Sequence, residues 1–213
     1  MNSVIFGNKN SFDDWNIALI QKKISLPRPK TSKINLEGSD GYIDLSEVLC
    51  GEIKFDNRSI AFEFEMLDDY SNFHDKTREI ANYLQGRKLK IILTDDPNYY
   101  YIGRCTIDDW SSDKRIGKIV IKCDCEPWKY SLEETVLTRN INGTETIEIV
   151  GKRKTVSPIF KITSDMNITF NGVEYLAPAG EYVVWEIQIK EGLNRFVISG
   201  NGTITIKYQE GEL

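Results

Sequence analysis

Histidine occurs once in these 213 residues, at position 74, and cysteine four times. A single imidazole gives no pattern from which a nucleophile–histidine–acid arrangement can be argued. Glycine-rich phosphate loops, dinucleotide fingerprints and calcium-loop patterns are also missing. No apolar run approaches the ~18 residues that mark a membrane-spanning helix. Positive charge is in the minority: 27 Lys and Arg against 32 Asp and Glu leave a net −5. No basic stripe of the kind that holds nucleic acid stands out, and Lys152-Arg153-Lys154 reads as a solvated turn. The opening MNSVIFGNKNSFDDWN has no apolar stretch behind a basic segment, so no secretory signal is expected. The expectation is folding in a reducing cytoplasm, with Cys50, Cys105, Cys123 and Cys125 as free thiols.

What the chain does have is period-two alternation. Ile60, Phe62, Phe64 and Met66 share one face of a strand while Glu63 and Glu65 take the other. Residues 33–45 read as a hairpin around Gly38-Ser39-Asp40-Gly41, and 88–94 as a strand running into the turn Asp95-Asp96-Pro97-Asn98. Residues 98–110 and 116–125 pair across Ser111 to Arg115. One segment has helical spacing instead: Phe73, Thr77, Ile80, Ala81 and Leu84 predict a helix over 71–86, capped by Ser71 or Asn72 and closed by Gly86. Beyond Tyr130 the texture changes. Residues 131–154 are polar and turn-rich, with Asn142-Gly143 as a tight turn. Short strands then follow, SPIFKIT, MNITF, VEYLA, YVVWEIQI, NRFVIS and TITIKYQ, with a further turn at Gly200-Asn201-Gly202. The pattern predicts a mainly β chain with one helix, a domain boundary near 130–140, and an antiparallel sandwich after it.

The candidates for chemistry are weak. Cys123 and Cys125 extend the apolar stripe of Ile119 and Ile121, where a thiol behaves as a small hydrophobe. Their C-x-C spacing on a strand is unlike the paired spacing of zinc ligands, although a four-cysteine site stays open if the fold gathers them. His74 sits in the first turn of the predicted helix. The pairs Asp13-Asp14, Asp68-Asp69, Asp95-Asp96 and Asp108-Asp109 lie at strand ends and turns, where Asp accepts local backbone hydrogen bonds. Tyr99, Tyr100, Tyr101, Trp110, Trp128, Tyr130, Tyr182 and Trp185 are open to three readings: packing, interface anchors or sugar platforms. No catalytic residue, cofactor or metal is expected.

Several stretches carry a resemblance. They are FDDWNIAL with ISLPRPKT, then GSDGYIDLSEVLCGEIKFDNRSIAFEFE, then REIANYLQGRKLKIILTDDPNYYYIGRCTIDDW, and GKIVIKCDCEPWKY. In this order, across most of the first 130 residues, they resemble the N-terminal domain of siphophage distal tail proteins, the Dit family. The ending ITIKYQEGEL is similar to the close of such proteins, while 131–160 matches less distinctly. The positions carrying the likeness are Gly38, Asp40, Gly41, Tyr42, Gly51, Tyr101, Gly103, Trp110, Asp124, Pro127, Trp128 and Tyr130.

The resemblance implies a β-rich domain over 1–132 that assembles into a hexameric ring at the tip of the tail tube. It implies a galectin-like β-sandwich over 133–213 that projects outward. The ring would join the major tail protein to the tail-associated lysin hub, and the outer domain would dock receptor-binding or baseplate proteins. Such a protein is a structural part of a phage or prophage tail tip, assembled in the host bacterial cytoplasm. It is not an enzyme and binds neither nucleic acid nor membrane. The hairpin at Gly38–Gly41 and the segment 95–115 are the expected inter-subunit elements. Longer relatives carry inserted carbohydrate-binding modules, and this chain has no such insertion. The alternative is a carbohydrate-binding module that recognises host cell-wall polysaccharide through Tyr182 and Trp185 of the C-terminal sandwich.

Overall fold

The computed structural model describes residues 2–67, 72–112 and 116–213, and the chain divides into two compact units at Lys129/Tyr130. Asp68, Asp69, the expected cap Ser71 and the expected turn residues Asp113, Lys114 and Arg115 lie outside the described residues.

The first unit contains β1 (Val4–Phe6), β2 (Lys9–Asn10), β3 (Ile17–Ile24), β4 (Lys33–Ile34), β5 (Ile43–Asp44) and β6 (Arg58–Met66). The helix α1 (Phe73–Leu84), β7 (Lys88–Leu93), β8 (Asp96–Ser112) and β9 (Gly117–Cys125) complete it. An antiparallel sheet runs β2-β1-β7-β8-β9-β6-β3. The β6 alternation buries Ile60, Phe62, Phe64 and Met66, and β9 buries Ile119, Ile121, Cys123 and Cys125 beside them. Each such large side chain contributes about 1.5–3 kcal/mol when fully buried.

The helix covers this stripe with Phe73, Thr77, Ile80 and Leu84, while Ala81 is only half-buried. Gly117 lets it approach: a Cβ there would stand 2.6 Å from the Phe73 ring. Asn72 occupies the N-cap position without a side-chain cap bond, so the capping expected of it is not made. The C-terminal end agrees with expectation, with Gly86 at φ +75°. Trp15, fully buried, stacks on Phe6 at 6.1 Å and meets Tyr83 edge-on at 5.5 Å.

The turn after β7 is not at 95–98. It is Thr94-Asp95, and Asp96 already pairs with Leu93. Ile92 pairs with Tyr100, so residues 97–99 bulge out of the ladder. Pro97 has no N–H to give to a ladder, which is why a bulge accepts it.

Short β10 (Lys129–Ser131) lies at the division of the chain. The second unit contains β11 (Thr135–Gly151), β12 (Ile159–Ile162), β13 (Met166–Phe170), β14 (Val173–Ala177), β15 (Gly180–Val183), β16 (Gly192–Tyr208) and β17 (Gly211–Glu212). Two expected turns prove to be strand interior. β11 and β16 are each 17 residues long and pair along their whole length, Thr135 with Tyr208 and Gly151 with Gly192. Asn142-Gly143 and Gly200-Asn201-Gly202 face each other in mid-ladder, with Gly143 at φ +88°, Gly200 at +144° and Gly202 at +139°. Residues that make turns here bend two paired strands together.

The bend folds the sheet on itself. β13 pairs with β16 before it and β12 pairs with β16 after it. Phe160 of β12 lies beside Ile206, yet its ring is 6.4 Å from that of Phe196. A straight strand would set Phe196 and Ile206 about 33 Å apart. Phe170 stacks on Phe196 at 4.8 Å in the same core. The strand expected over 182–189 also stops early, at Val183, with Trp185-Glu186 in a turn. Its partner β12 has run out there, and the turn returns Ile187 and Ile189 to the core.

Gly200→Ala tests the bend. Its Cβ would stand 2.9 Å from Met166 Cγ in a left-handed backbone, for an expected loss of about 1–3 kcal/mol. Gly143→Ala, with open space around it, costs the smaller share. Urea unfolding read through hydrogen exchange of the β11 amides measures both.

Candidate assembly surface

Between Ile24 and Ile60 the chain leaves the core of the first unit. Every residue from 28 to 44 is exposed. Backbone bonds help to hold the excursion, Asp56 N–H to Arg28 O at 2.9 Å, Lys30 N–H to Lys54 O at 2.8 Å and Leu45 N–H to Ser32 O at 2.8 Å, and the Ser46 hydroxyl accepts the Ser32 N–H at 2.9 Å. The expected hairpin exists at its tip but is short, pairing only Lys33 with Asp44 and Ile34 with Ile43. This arm carries Leu26, Ile34, Leu36, Tyr42, Ile43, Val48 and Leu49 in the open, with Leu49 at 95 % exposure. Exposed apolar side chains gathered on one element mark an interaction surface. Gly38, Asp40, Gly41, Tyr42 and Gly51 all lie on the arm, where the Lys33 ammonium sits 4.1 Å from the Tyr42 ring centroid.

A second group of the expected positions gathers at the sheet end from which the arm departs. Tyr101 and Gly103 on β8 and Asp124 on β9 lie near Arg58 in the sheet, and Pro127 and Trp128 follow β9 in the chain. Gly103 pairs with Cys125, which in turn pairs with Arg58. Asn57 donates to the Asp124 carboxylate at 3.2 Å, and Trp128 meets Phe55 edge-on at 5.5 Å. Arg58 is the residue the sequence reading missed. It is 2 % exposed, its guanidinium lies 5.5 Å from the Tyr101 ring, and its Nε and Nη2 have no hydrogen-bond partner among the described residues. The available signal was its phase: it shares the parity of Ile60, Phe62 and Phe64.

Trp110 stands apart from that cluster, near the far end of β8 and half in solvent. Tyr130 belongs to the second unit, with Lys154 Nζ 5.3 Å from its ring centroid. Of the other aromatics, Tyr100 and Tyr101 are buried, and Lys129 Nζ lies 4.2 Å from the Tyr99 ring. Tyr182 is half-buried and Trp185 is 73 % exposed.

The cysteines form no disulfide. Cys50 is exposed on the arm, whereas Cys105, Cys123 and Cys125 are buried, with 3.3 Å between the Cys123 and Cys105 sulfurs. The hydrogen bond to Cys105, together with burial, raises the Cys123 thiol pKa, and burial pushes Cys125 up to about 12. Among the described residues, no three His, Cys, Asp or Glu side chains converge on one point. His74 is exposed against the Phe73 ring. Asp14 pairs with Lys9, Asp95 with Lys22, Asp96 with Lys129 and Asp108 with Lys122, and all four are ion pairs near the surface. Lys152, expected in a solvated turn, bonds Glu210 and Glu212 at 2.8 Å each. No described helix is long and apolar enough to cross a membrane.

No family model and no curated protein matches the sequence. The fold does have a match among solved structures. The SPP1 Dit protein (gp 19.1), described as a paradigm of the hub adsorption apparatus in phages infecting Gram-positive bacteria, superposes with a TM-score of 0.76. The match covers 100 % of both chains at 12 % sequence identity. The chain has the Dit fold. The likeness spans the whole length of the chain, both units included.

The buried thiols make a direct check on the first unit. At about pH 8 a thiol reagent should modify Cys50 alone in the native chain and all four cysteines after unfolding. The unfolded chain loses thiol protons first, because the folded Cys125 holds its own from the ordinary 9.0 up to about 12. Stability supplied by this protonation is whole below pH 9 and is lost as pH rises towards 12, so the urea midpoint should fall across that interval.

Proposed function

We propose that the chain is a structural distal tail protein that closes into a ring of six at the tip of a phage or prophage tail. The observation that carries this reading is the full-length Dit fold combined with an arm whose apolar side chains find no burial in their own unit. In this reading residues 1–132 form the ring domain and residues 133–213 a galectin-like sandwich that faces outward. The ring joins the major tail protein on one side to the tail-associated lysin hub on the other, and the outer domain docks receptor-binding or baseplate proteins. The arm positions Gly38, Asp40, Gly41, Tyr42 and Gly51 serve contacts between copies. Tyr101, Gly103 and Asp124 near Arg58, with Trp128 against Phe55, fix where the arm leaves the sheet. Trp110 is an interface anchor. A part of this kind needs loops, sheet edges and aromatic anchors rather than a catalytic cleft. Assembly takes place in the host cytoplasm, and the finished protein resides in the virion tail.

Gold-labelled antibodies against the chain test the location. They should mark the distal end of intact tails, and label along the tube or at the head end would contradict the reading.

A second reading rests on Trp185, whose exposed indole on a turn is a surface on which a sugar ring could stack. Under it, host cell-wall polysaccharide quenches tryptophan fluorescence and Trp185→Ala abolishes the quench. An unchanged signal over a wide range of sugars removes it.

A further inference from the structure

A groove of about 350 Å³ opens between the C-terminal end of α1 and the far part of β8, lined by Ala81, Gln85, Ile107, Asp108, Asp109 and Trp110. Its shape has a structural origin. The β8–β9 register slips between Ile107 and Asp109, and Gln85 Oε1 accepts the Ile107 N–H at 2.9 Å, tying helix to bulge. Ile107, Ala81 and Trp110, the last 48 % exposed, supply its apolar lining. Asp108 is occupied by Lys122 at 2.8 Å. Asp109 is exposed and has no basic partner among the described residues. An indole face beside an unpaired carboxylate suits a guanidinium on an aliphatic stem.

The same unit carries such a group elsewhere. Arg28 is exposed at the base of the arm, and its side chain has no carboxylate partner among the described residues. Pro27 and Pro29 on either side hold the backbone extended, and Leu26 and Lys30 flank them. Lys30 reaches Asp56 only at 3.7 Å, between two well-exposed side chains, which leaves it available. Arg28 cannot reach its own groove. It lies level with Asp56, at the Arg58–Cys125–Gly103 end of the sheet, and Asp109 is six residues further along β8, about 20 Å away. Two different complementary patches on one chain are what a closed head-to-tail ring requires.

We propose that the groove of one copy receives the Leu26–Lys30 segment of the next, with Arg28 stacked on Trp110 and paired with Asp109. This rests on the ring reading and adds to it a specific contact.

Charge reversal tests it by sedimentation over a concentration series, with tail-tube protein present if closure needs it. Arg28→Asp and Asp109→Arg, each alone, should weaken assembly about tenfold or more. Mixing the two variants should restore it, because in an alternating ring every arm meets a groove of opposite charge. If both single variants assemble as the unaltered chain does, the groove contact is wrong and the ring stands. If both are weakened but the mixture stays dissociated, the pairing of these two residues is wrong. If the unaltered chain stays a single copy under every condition, the ring reading falls and the contact with it.

Discussion

The apolar stripe across β6 and β9 is the constraint on which the first unit depends. Ile60 faces Cys123, Phe62 faces Ile121 and Phe64 faces Ile119, so one sheet face offers an unbroken hydrophobic surface that must be covered. α1 covers it with four side chains, and Gly117 is bare because Phe73 lies against it. Trp15, Phe6 and Phe62 close the core around the same surface. Once that face is filled, nothing remains in it for the apolar residues of the arm. Leu26, Ile34, Leu36, Tyr42, Ile43, Val48 and Leu49 stay in the open. Removing those side chains from water would favour assembly.

The second unit is governed by the pairing of β11 with β16. Two strands of this length cannot stay straight in a unit of about 80 residues and still enclose a core. Glycines at matched positions let both bend at once, so that the strands on either side of the corner, β12 and β13, can share one interior.

Side-chain parity made much of this legible. The β6 and β9 faces, the buried C-x-C thiols, the β8–β9 pairing, the helix and the hairpin tip all follow from local spacing. The misread elements share a cause. Asn142-Gly143 and Gly200-Asn201-Gly202 have turn chemistry, and only the ladder between them, set by residues some 60 positions apart, makes them bends. Pro97 likewise read as part of a turn when it occupies a bulge. The candidate surface was half visible. The tip glycines and Tyr42 were evident, but Arg58 was hidden because a charged residue in phase with a core stripe is ordinarily discounted. Asp109 could not be singled out, since its lack of a partner depends on Lys122 choosing Asp108.

A buried arginine whose Nε and Nη2 have no hydrogen-bond partner among the described residues, an arm with apolar residues in the open and a groove beside Asp109 all occur in the first unit. Each is what the proposed assembly would use. Light-scattering mass after size exclusion, over a concentration series with negative-stain images of the heaviest species, tests that claim most directly. The account predicts ring-shaped particles of six 24.5 kDa chains, about 147 kDa. A single-chain mass at every concentration, unchanged when the tail-tube protein is added, would contradict it.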